Sequence, residues 1–313
     1  MGNLGKLTKI SPIVGIVALI AAVIYFVCVV DSPSRKIVSA QEARSNRASL
    51  WDYNFKPDGK RRHKRVVSLT PSLTETICAL GAEDYLVGVT DNDDYPPSVS
   101  LLPSVGDMYP NLELIAAANP DLIVYDETLL PSGLVGRLTK LKGRRLPLRL
   151  DSLEDLAEVL PVLGKALGKR QEAAALSRQL AEFLAACHER NKHLLKRPSV
   201  CLIIWPCPIM TVGGSSYINN LLTLAGGRNC YADLETAYPT VSLEDLLQRD
   251  PDLIIMNCEG APDITKMAGW SSLRAVQLGH VYHVPASLLH RSTMRSLQGV
   301  ELLRRYCEVD YDN

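Results

Sequence analysis

The sequence predicts an α/β protein built as two related lobes, each a parallel-rich sheet covered on both faces by helices, joined by one long rigid helix. Three observations predict it. The first is an internal repeat. Asn111-Leu112-Glu113-Leu114-Ile115, running on to Asn119-Pro120-Asp121-Leu122-Ile123-Val124, is matched by Ser242-Leu243-Glu244-Asp245-Leu246, running on to Asp250-Pro251-Asp252-Leu253-Ile254-Ile255. The offset is constant at 131 residues (243 − 112 = 131; 251 − 120 = 131). A repeat at that separation indicates two lobes and not a short-period solenoid. The second observation is the alternation of short apolar runs with helical patterns, the signature of parallel strands buried on both faces. The third is the longest helical pattern, residues 168–196, which carries neither Pro nor internal Gly; Leu176, Leu180, Phe183, Leu184, Cys187, Leu194 and Leu195 share one stripe. A helix of that length spans about 43 Å, enough to act as a stiff spine across both lobes.

Residues 1–11 read as a cytoplasmic stub. Residues 12–30 form an uncharged apolar run preceded by Lys6 and Lys9, about 28 Å long as a helix and so matched to one hydrocarbon core. An uncleaved transmembrane anchor, a cleaved signal segment and a lipid anchor at Cys28 are the three readings, and all of them export the rest of the chain. Residues 31–64 are a polar, basic tether ending in Lys60-Arg61-Arg62-His63-Lys64.

The first lobe is expected over residues 65–160. It opens with a strand at 65–69 and a Thr70-Pro71-Ser72 turn, with Ser72 as N-cap of a helix at 74–80 closed by Gly81. Further strands are expected at 86–89 and 122–125. Residues 161–197 contain the bridging helix, and 198–313 form the second lobe, with strands at 200–205, 253–256 and 281–284 and a helix at 218–224 stopped by Gly226-Gly227. A looser repeat, 72–81 against 217–226, supports the same two-lobe division.

Composition limits the function classes. With 47% hydrophobic and 22% charged residues the chain is neither disordered nor a multi-span membrane protein. Its 34 basic and 34 acidic residues cancel, which argues against nucleic acid as the main partner. Eight cysteines at this length are no disulfide framework; Cys201 and Cys258 read as buried thiols, while Cys230 and Cys307 are a candidate pair in an oxidising compartment.

No pattern carries catalysis. Gly213-Gly214-Ser215-Ser216 is the nearest approach to a nucleophile elbow and lacks its strand-turn-helix setting. His280 and His283 fall on opposite faces of a strand, and His188 and His193 diverge on a helix, so no metal site is expected. The repeated Glu113 and Glu244 each lie in the first turn of a helix behind an N-cap, Asn111 or Ser242, where acids complement the helix dipole. They also give two lobes one matched carboxylate each, suited to a pseudo-twofold partner carrying arginines.

The stretch from Arg65-Val66-Val67-Ser68-Leu69-Thr70-Pro71-Ser72-Leu73-Thr74-Glu75 through Ala79-Leu80-Gly81-Ala82 and Val87-Gly88-Val89-Thr90 resembles the first lobe of the cobalamin and iron-chelate substrate-binding proteins of ABC importers. Asp94-Tyr95-Pro96-Pro97, Val105-Gly106-Asp107 and Pro110-Asn111-Leu112-Glu113 extend the likeness. So do Met210-Thr211-Val212-Gly213-Gly214, Leu224-Ala225-Gly226-Gly227, Tyr238-Pro239-Thr240-Val241-Ser242-Leu243-Glu244 and Gly279-His280-Val281-Tyr282. The resemblance covers residues 65–307. It implies a ligand cleft between the lobes, a non-enzymatic extracytoplasmic monomer, no cofactor of its own, and docking on a permease dimer with its ATPase through Glu113 and Glu244. The style is nearest to the vitamin B12 binders, so the implied cargo is cobalamin or a related corrinoid. Pro71, Ser72, Asp107, Met108, Tyr109, Trp205, Met210, Tyr238, Ser287, His290 and Arg291 are the implied ligand-binding residues. Two alternatives within the family stay open: a ferric siderophore, met by Arg291 and Arg295, and haem, met by Tyr109 or His290 as iron ligand. An interaction protein that kept the lobes without transport, or an enzyme of unrecognised type, are the readings outside it.

Overall fold

A computed structural model describes residues 64–309. The stub, the apolar segment and all of the tether except Lys64 lie outside the described residues. Among the described residues no helix is long and apolar enough to cross a membrane.

Two sheets organise the chain. The first is all parallel: β1 (Val66–Ser68), β2 (Leu86–Gly88), β3 (Leu122–Asp126) and β4 (Arg144–Leu148), in the order β2-β1-β3-β4. The second contains β5 (Ser199–Pro206), β6 (Ile209–Thr211), β7 (Arg228–Asn229), β8 (Thr240–Val241), β9 (Leu253–Met256) and β10 (Val281–His283), in the order β10-β9-β5-β6-β8. Strands β10, β9, β5 and β7 run parallel, and β6 and β8 add an antiparallel extension. Every residue of β3 and of β9 is buried, as strands covered on both faces require.

Helices α1 (Pro71–Ala79), α2 (Leu112–Ala117), α3 (Ser132–Leu138) and α4 (Leu153–Leu167) belong to the amino-terminal half. After α5 (Arg170–Lys192) come α6 (Tyr217–Leu224), α7 (Leu243–Arg249), α8 (Arg274–Gln277), α9 (Ala286–Leu289) and α10 (Ser296–Cys307).

The sequence repeat is a repeat of structure. β3 lies beside β1 with Leu122 opposite Val66, and β9 lies beside β5 with Leu253 opposite Val200. Asn119 (φ 43°) and Asp250 (φ 36°), at the 131-residue offset, both adopt the left-handed conformation that ends a helix. The Pro-Asp pair after each of them then fastens the first strand of its lobe. Asp121 accepts from the backbone N–H of Lys64 at 3.1 Å and of Arg65 at 3.2 Å, and Asp252 accepts from that of Ser199 at 2.6 Å. Lys64 and Arg65 therefore end the basic run as structural residues; the Arg65 guanidinium also caps α2 by donating to the carbonyls of Ala118 (2.6 Å) and Asn119 (3.0 Å).

Four expectations are corrected. Ser72 is not an N-cap: Thr70 holds that position without a side-chain cap bond, and Pro71 starts α1 because its fixed φ and missing N–H suit the first helical turn. The long helix is shorter than 168–196. Gly168 is left-handed (φ 73°) and terminates α4, so α5 begins at Arg170 and ends at Lys192. Strand β4 has no counterpart among the expected strands, because Arg144, Arg145 and Pro147 disguise it; it is an edge strand, where a proline costs no ladder bond. Finally, Cys230 and Cys307 are both free thiols. The register that sets Asn229 beside Val200 packs Cys230 into the same buried cluster as Cys201, while Cys307 Sγ packs against Gly227.

Candidate functional site

In parallel sheets the loops at the carboxyl ends of the strands form the natural binding edge. The segments singled out by the sequence collect there. Pro71 and Ser72 come directly after β1 and are half-buried. Trp205 is the penultimate residue of β5 and stands opposite Met210 of β6 in the ladder, so these two side chains are brought together, both half-buried. The Trp205 indole N–H donates to the carbonyl of Cys207 at 2.9 Å. Tyr238 is the exception: it precedes β8, is half-buried, and lies back from the edge, because the ladder sets Val241 and not Tyr238 level with the carboxyl end of β5. Ser287, His290 and Arg291 lie on or just after α9, the helix after β10.

Asp107, Met108 and Tyr109 precede α2. Asp107 is exposed and accepts from the Tyr109 N–H at 2.9 Å, and Tyr109 is 63% exposed. Glu113 and Glu244 are exposed in the first turns of α2 and α7. Their helices start as expected: Asn111 accepts from the N–H of Glu113 (2.9 Å) and Leu114 (3.4 Å), and Ser242 accepts from that of Asp245 (3.1 Å).

The two carboxyl edges meet through Arg291. Its Nη1 donates to Glu75 Oε1 at 2.8 Å and to Asp94, and its Nη2 donates to the carbonyl of Asn92 at 3.0 Å. Arg295 adds a second bond to Glu75 Oε1 at 3.3 Å and stacks over the Tyr95 ring at 3.8 Å. Ser292 Oγ donates to the carbonyl of Ser152 at 3.0 Å. The Glu75 side chain is only 4% exposed, so its charge is tolerable because two guanidiniums meet it. Burial pulls the Arg291 pKa down, but Asp94 and Glu75 more than offset this and hold it raised. Beside this clasp lies a cavity of about 290 Å³ lined by Glu75, Cys78, Tyr95, Thr293, Met294 and Arg295. None of the eleven implied ligand-binding residues lines it.

The sequence holds no local signal for Glu75, Asp94 and Arg295 as a clasp, since partners 216 and 220 residues apart share no periodicity. Asn257 and Asp126 did leave a signal. Two positions beyond the matched residues 124 and 255, the same offset pairs a buried Asp126, the last residue of β3, with a buried Asn257, the residue just after β9. Asp126 Oδ1 accepts from the N–H (2.9 Å) and Oγ1 (2.8 Å) of Thr128, in its own loop; burial raises its pKa and these bonds oppose the rise. Asn257 Oδ1 lies 2.5 Å from His290 Nε2. His290 keeps an exposed edge while its ring is set among protein atoms, and that burial, with the Arg291 charge, lowers its pKa to about 4. The paired glycines Gly213 and Gly214 are structural: a Cβ at Gly213 would stand 1.9 Å from the Thr236 carbonyl oxygen. Among the described residues no cluster of three or more His, Cys, Asp or Glu side chains is arranged to hold a metal ion.

Comparison with known proteins agrees with this geometry. The family model described as "Periplasmic binding protein" matches residues 66–288. An uncharacterized ABC transporter substrate-binding lipoprotein, YvrC of Bacillus subtilis, is 33% identical over 253 residues, 78% of this chain and 80% of that protein. The crystal structure of the periplasmic vitamin B12 binding protein BtuF of Vibrio cholerae superposes with a TM-score of 0.72 at 26% identity, covering 80% of this chain and 99% of that one. A periplasmic heme binding protein from Pseudomonas aeruginosa gives a TM-score of 0.66 at 26% identity, covering 78% and 92%. With its two lobes, its opposed carboxyl edges and this match over most of its length, the chain belongs to the periplasmic binding protein family, as an extracytoplasmic substrate-binding component of an ABC importer.

Proposed function

We propose that this protein captures cobalamin or a related corrinoid between the carboxyl edges of its two sheets and hands it to a permease dimer whose ATPase drives import. The observation that carries the choice of cargo is the state of the two arginines. Arg291 and Arg295, the cations an anionic ferric chelate would need, are already matched by Glu75 and Asp94. What remains suits a large, mostly neutral ligand: the Trp205–Met210 pair and Tyr109 at the edges, with Tyr238 further back, as apolar and aromatic walls, and Pro71, Ser72, Asp107, Met108, Ser287 and His290 as shaping and polar contacts. Arg291 then serves as a clasp between the lobes. The likeness to a B12 binder supports the same reading.

Glu113 and Glu244 are the docking carboxylates, each exposed and each taking a permease arginine. Residues 12–30 anchor the chain to the cytoplasmic membrane, and residues 65–160 and 198–313 are the lobes joined by 161–197. Haem is the second reading, favoured by the neutral His290 near the clasp and by the heme-binding structural relative.

Mixing the full-length protein separately with cyanocobalamin, haemin and a ferric siderophore, then desalting and recording visible spectra and calorimetric titrations, tests the cargo. One-to-one retention of cobalamin is expected. Retention of haemin or siderophore alone, or of none of the three, overturns the corrinoid assignment.

A further inference from the structure

The cavity of about 290 Å³ beside the clasp is built by both lobes. Glu75 and Ala79 of α1 and Glu83 of the single 3₁₀ turn Glu83–Tyr85 line it from the first lobe, and Met294 and Arg295 line it from the second. Helix α1 returns from the carboxyl end of β1 to the amino end of the parallel β2, so its last turn and Glu83 lie back from the carboxyl edges. An occupant of this cavity would therefore touch both lobes without standing in the cargo cleft.

Its charges do not balance. Arg291 and Arg295 are matched in number by Glu75 and Asp94, which leaves Glu83 over. Glu83 is half-buried, and its carboxylate has no hydrogen-bond or ion-pair partner among the described residues. Lys169, which approaches Gly81, pairs with Glu172 at 3.7 Å and brings no net charge. Glu75 is only partly used as well. Both guanidiniums bond to Oε1, and no described residue donates to Oε2, although the side chain is only 4% exposed. The thiol of Cys78 in the same wall responds to the resulting field: burial first, then the charges of Glu83, Asp93 and Glu75, push its pKa up to about 12, so it is neutral.

Carboxylate oxygens taken out of water without partners call for a cation. A bare metal ion is not what the walls suit, since among the described residues no three acidic, thiol or imidazole groups converge on one point. Ala79, Met294 and the neutral Cys78 add apolar surface beside the acids. Acceptors on one side and apolar wall on the other fit an ammonium on an alkyl stem. The volume is at the lower end for ligand pockets, so the stem is short.

We propose that this cavity is a second ligand site, separate from the cargo edges, which takes a small primary amine in its ammonium form, with the charge at Glu83 and Glu75 Oε2 and the stem against Ala79 and Met294. The site does not depend on which cargo the cleft holds.

Butylammonium, butyrate and 1-butanol share one stem and differ in charge, so they are the probes, titrated separately into the full-length protein and followed by saturation-transfer NMR. Only butylammonium is expected to bind saturably, with a dissociation constant on the order of 1 mM, the scale set by so few non-hydrogen atoms. Glu83→Gln, which removes the unmatched charge at nearly constant size, should weaken it about 10-fold or more. Ala79→Phe, which fills the space without touching a charge, should abolish it. Ala79 is exposed, so this variant is expected to keep the fold by circular dichroism. Binding of butyrate or butanol as tight as that of butylammonium, an affinity unchanged in Glu83→Gln or Ala79→Phe, or no saturable binding of butylammonium overturns the site.

Discussion

The stretches 111–126 and 242–257 perform one structural task with different surfaces. Both run from a capped helix through a left-handed stop at Asn119 or Asp250, then a Pro-Asp pair that fastens a strand, into a fully buried β3 or β9. Their exposed chemistry differs. At the offset of 131 the first lobe presents Tyr109 and Leu114, 63% and 46% exposed, where the second has Thr240 and Asp245, the latter bonded to Arg249 at 3.3 Å. At the inner end, Asp126 stands against Asn257. The repeat is kept where backbone geometry leaves few choices, and it diverges where a side chain meets solvent, partner or ligand. The clasp is asymmetric too, with both carboxylates from the first lobe and both guanidiniums from the second.

The largest expected effect concerns the feature the lobes share. Glu113→Ala combined with Glu244→Ala should abolish transport in cells while calorimetry finds ligand affinity unchanged. Loss of affinity in that double variant would put the carboxylates in the binding site and end the docking reading.

Breaking the clasp comes next. Glu75→Ala leaves two part-buried guanidiniums without their common partner and should cost about 3–5 kcal/mol in urea unfolding. A loss within error of zero would mean that the lobes are held by packing alone.

The equivalence of the two Pro-Asp fasteners is tested by Asp121→Ala and Asp252→Ala. Each should destabilise by about 1–3 kcal/mol, and by similar amounts, since each removes an acceptor from strand-initiating N–H groups. Strongly unequal losses would show that the repeat is only formal. Asn111→Ala and Ser242→Ala should each cost about 1 kcal/mol through loss of an N-cap.

The smallest effect sharpens the inner difference. Burial raises the Asp126 pKa, so just above the ordinary carboxylate value of 3.8 the folded chain holds a proton that the unfolded chain has lost. Stability therefore declines as pH rises through that window. Asp126→Asn, which makes the first lobe resemble the second, should remove this part of the pH dependence. An unchanged profile would trace it to another group, such as the similarly buried Asp93.

The amino-acid sequence by itself determined the α/β class, the two-lobe repeat, the N-caps Asn111 and Ser242, and the positions of strands β1, β2, β3, β5, β9 and β10 to within a residue or two. Those features are local: apolar runs, capping residues and Pro-Asp stops act within a few positions of one another. The repeat also reported Glu113 and Glu244 as equivalent exposed acids without any coordinates. Tertiary structure alone decided the rest. It closed α4 at a left-handed Gly168 so that the long helix runs only from Arg170 to Lys192, recruited an Arg- and Pro-bearing segment as edge strand β4, and set Cys230 in one buried cluster with Cys201. It joined Glu75 to Arg291 across 216 residues and turned Asn257 toward His290 across 33. Ion pairs and buried hydrogen bonds of that kind depend on which loops the topology brings to one edge, and chain-local periodicity carries no information about a partner that distant.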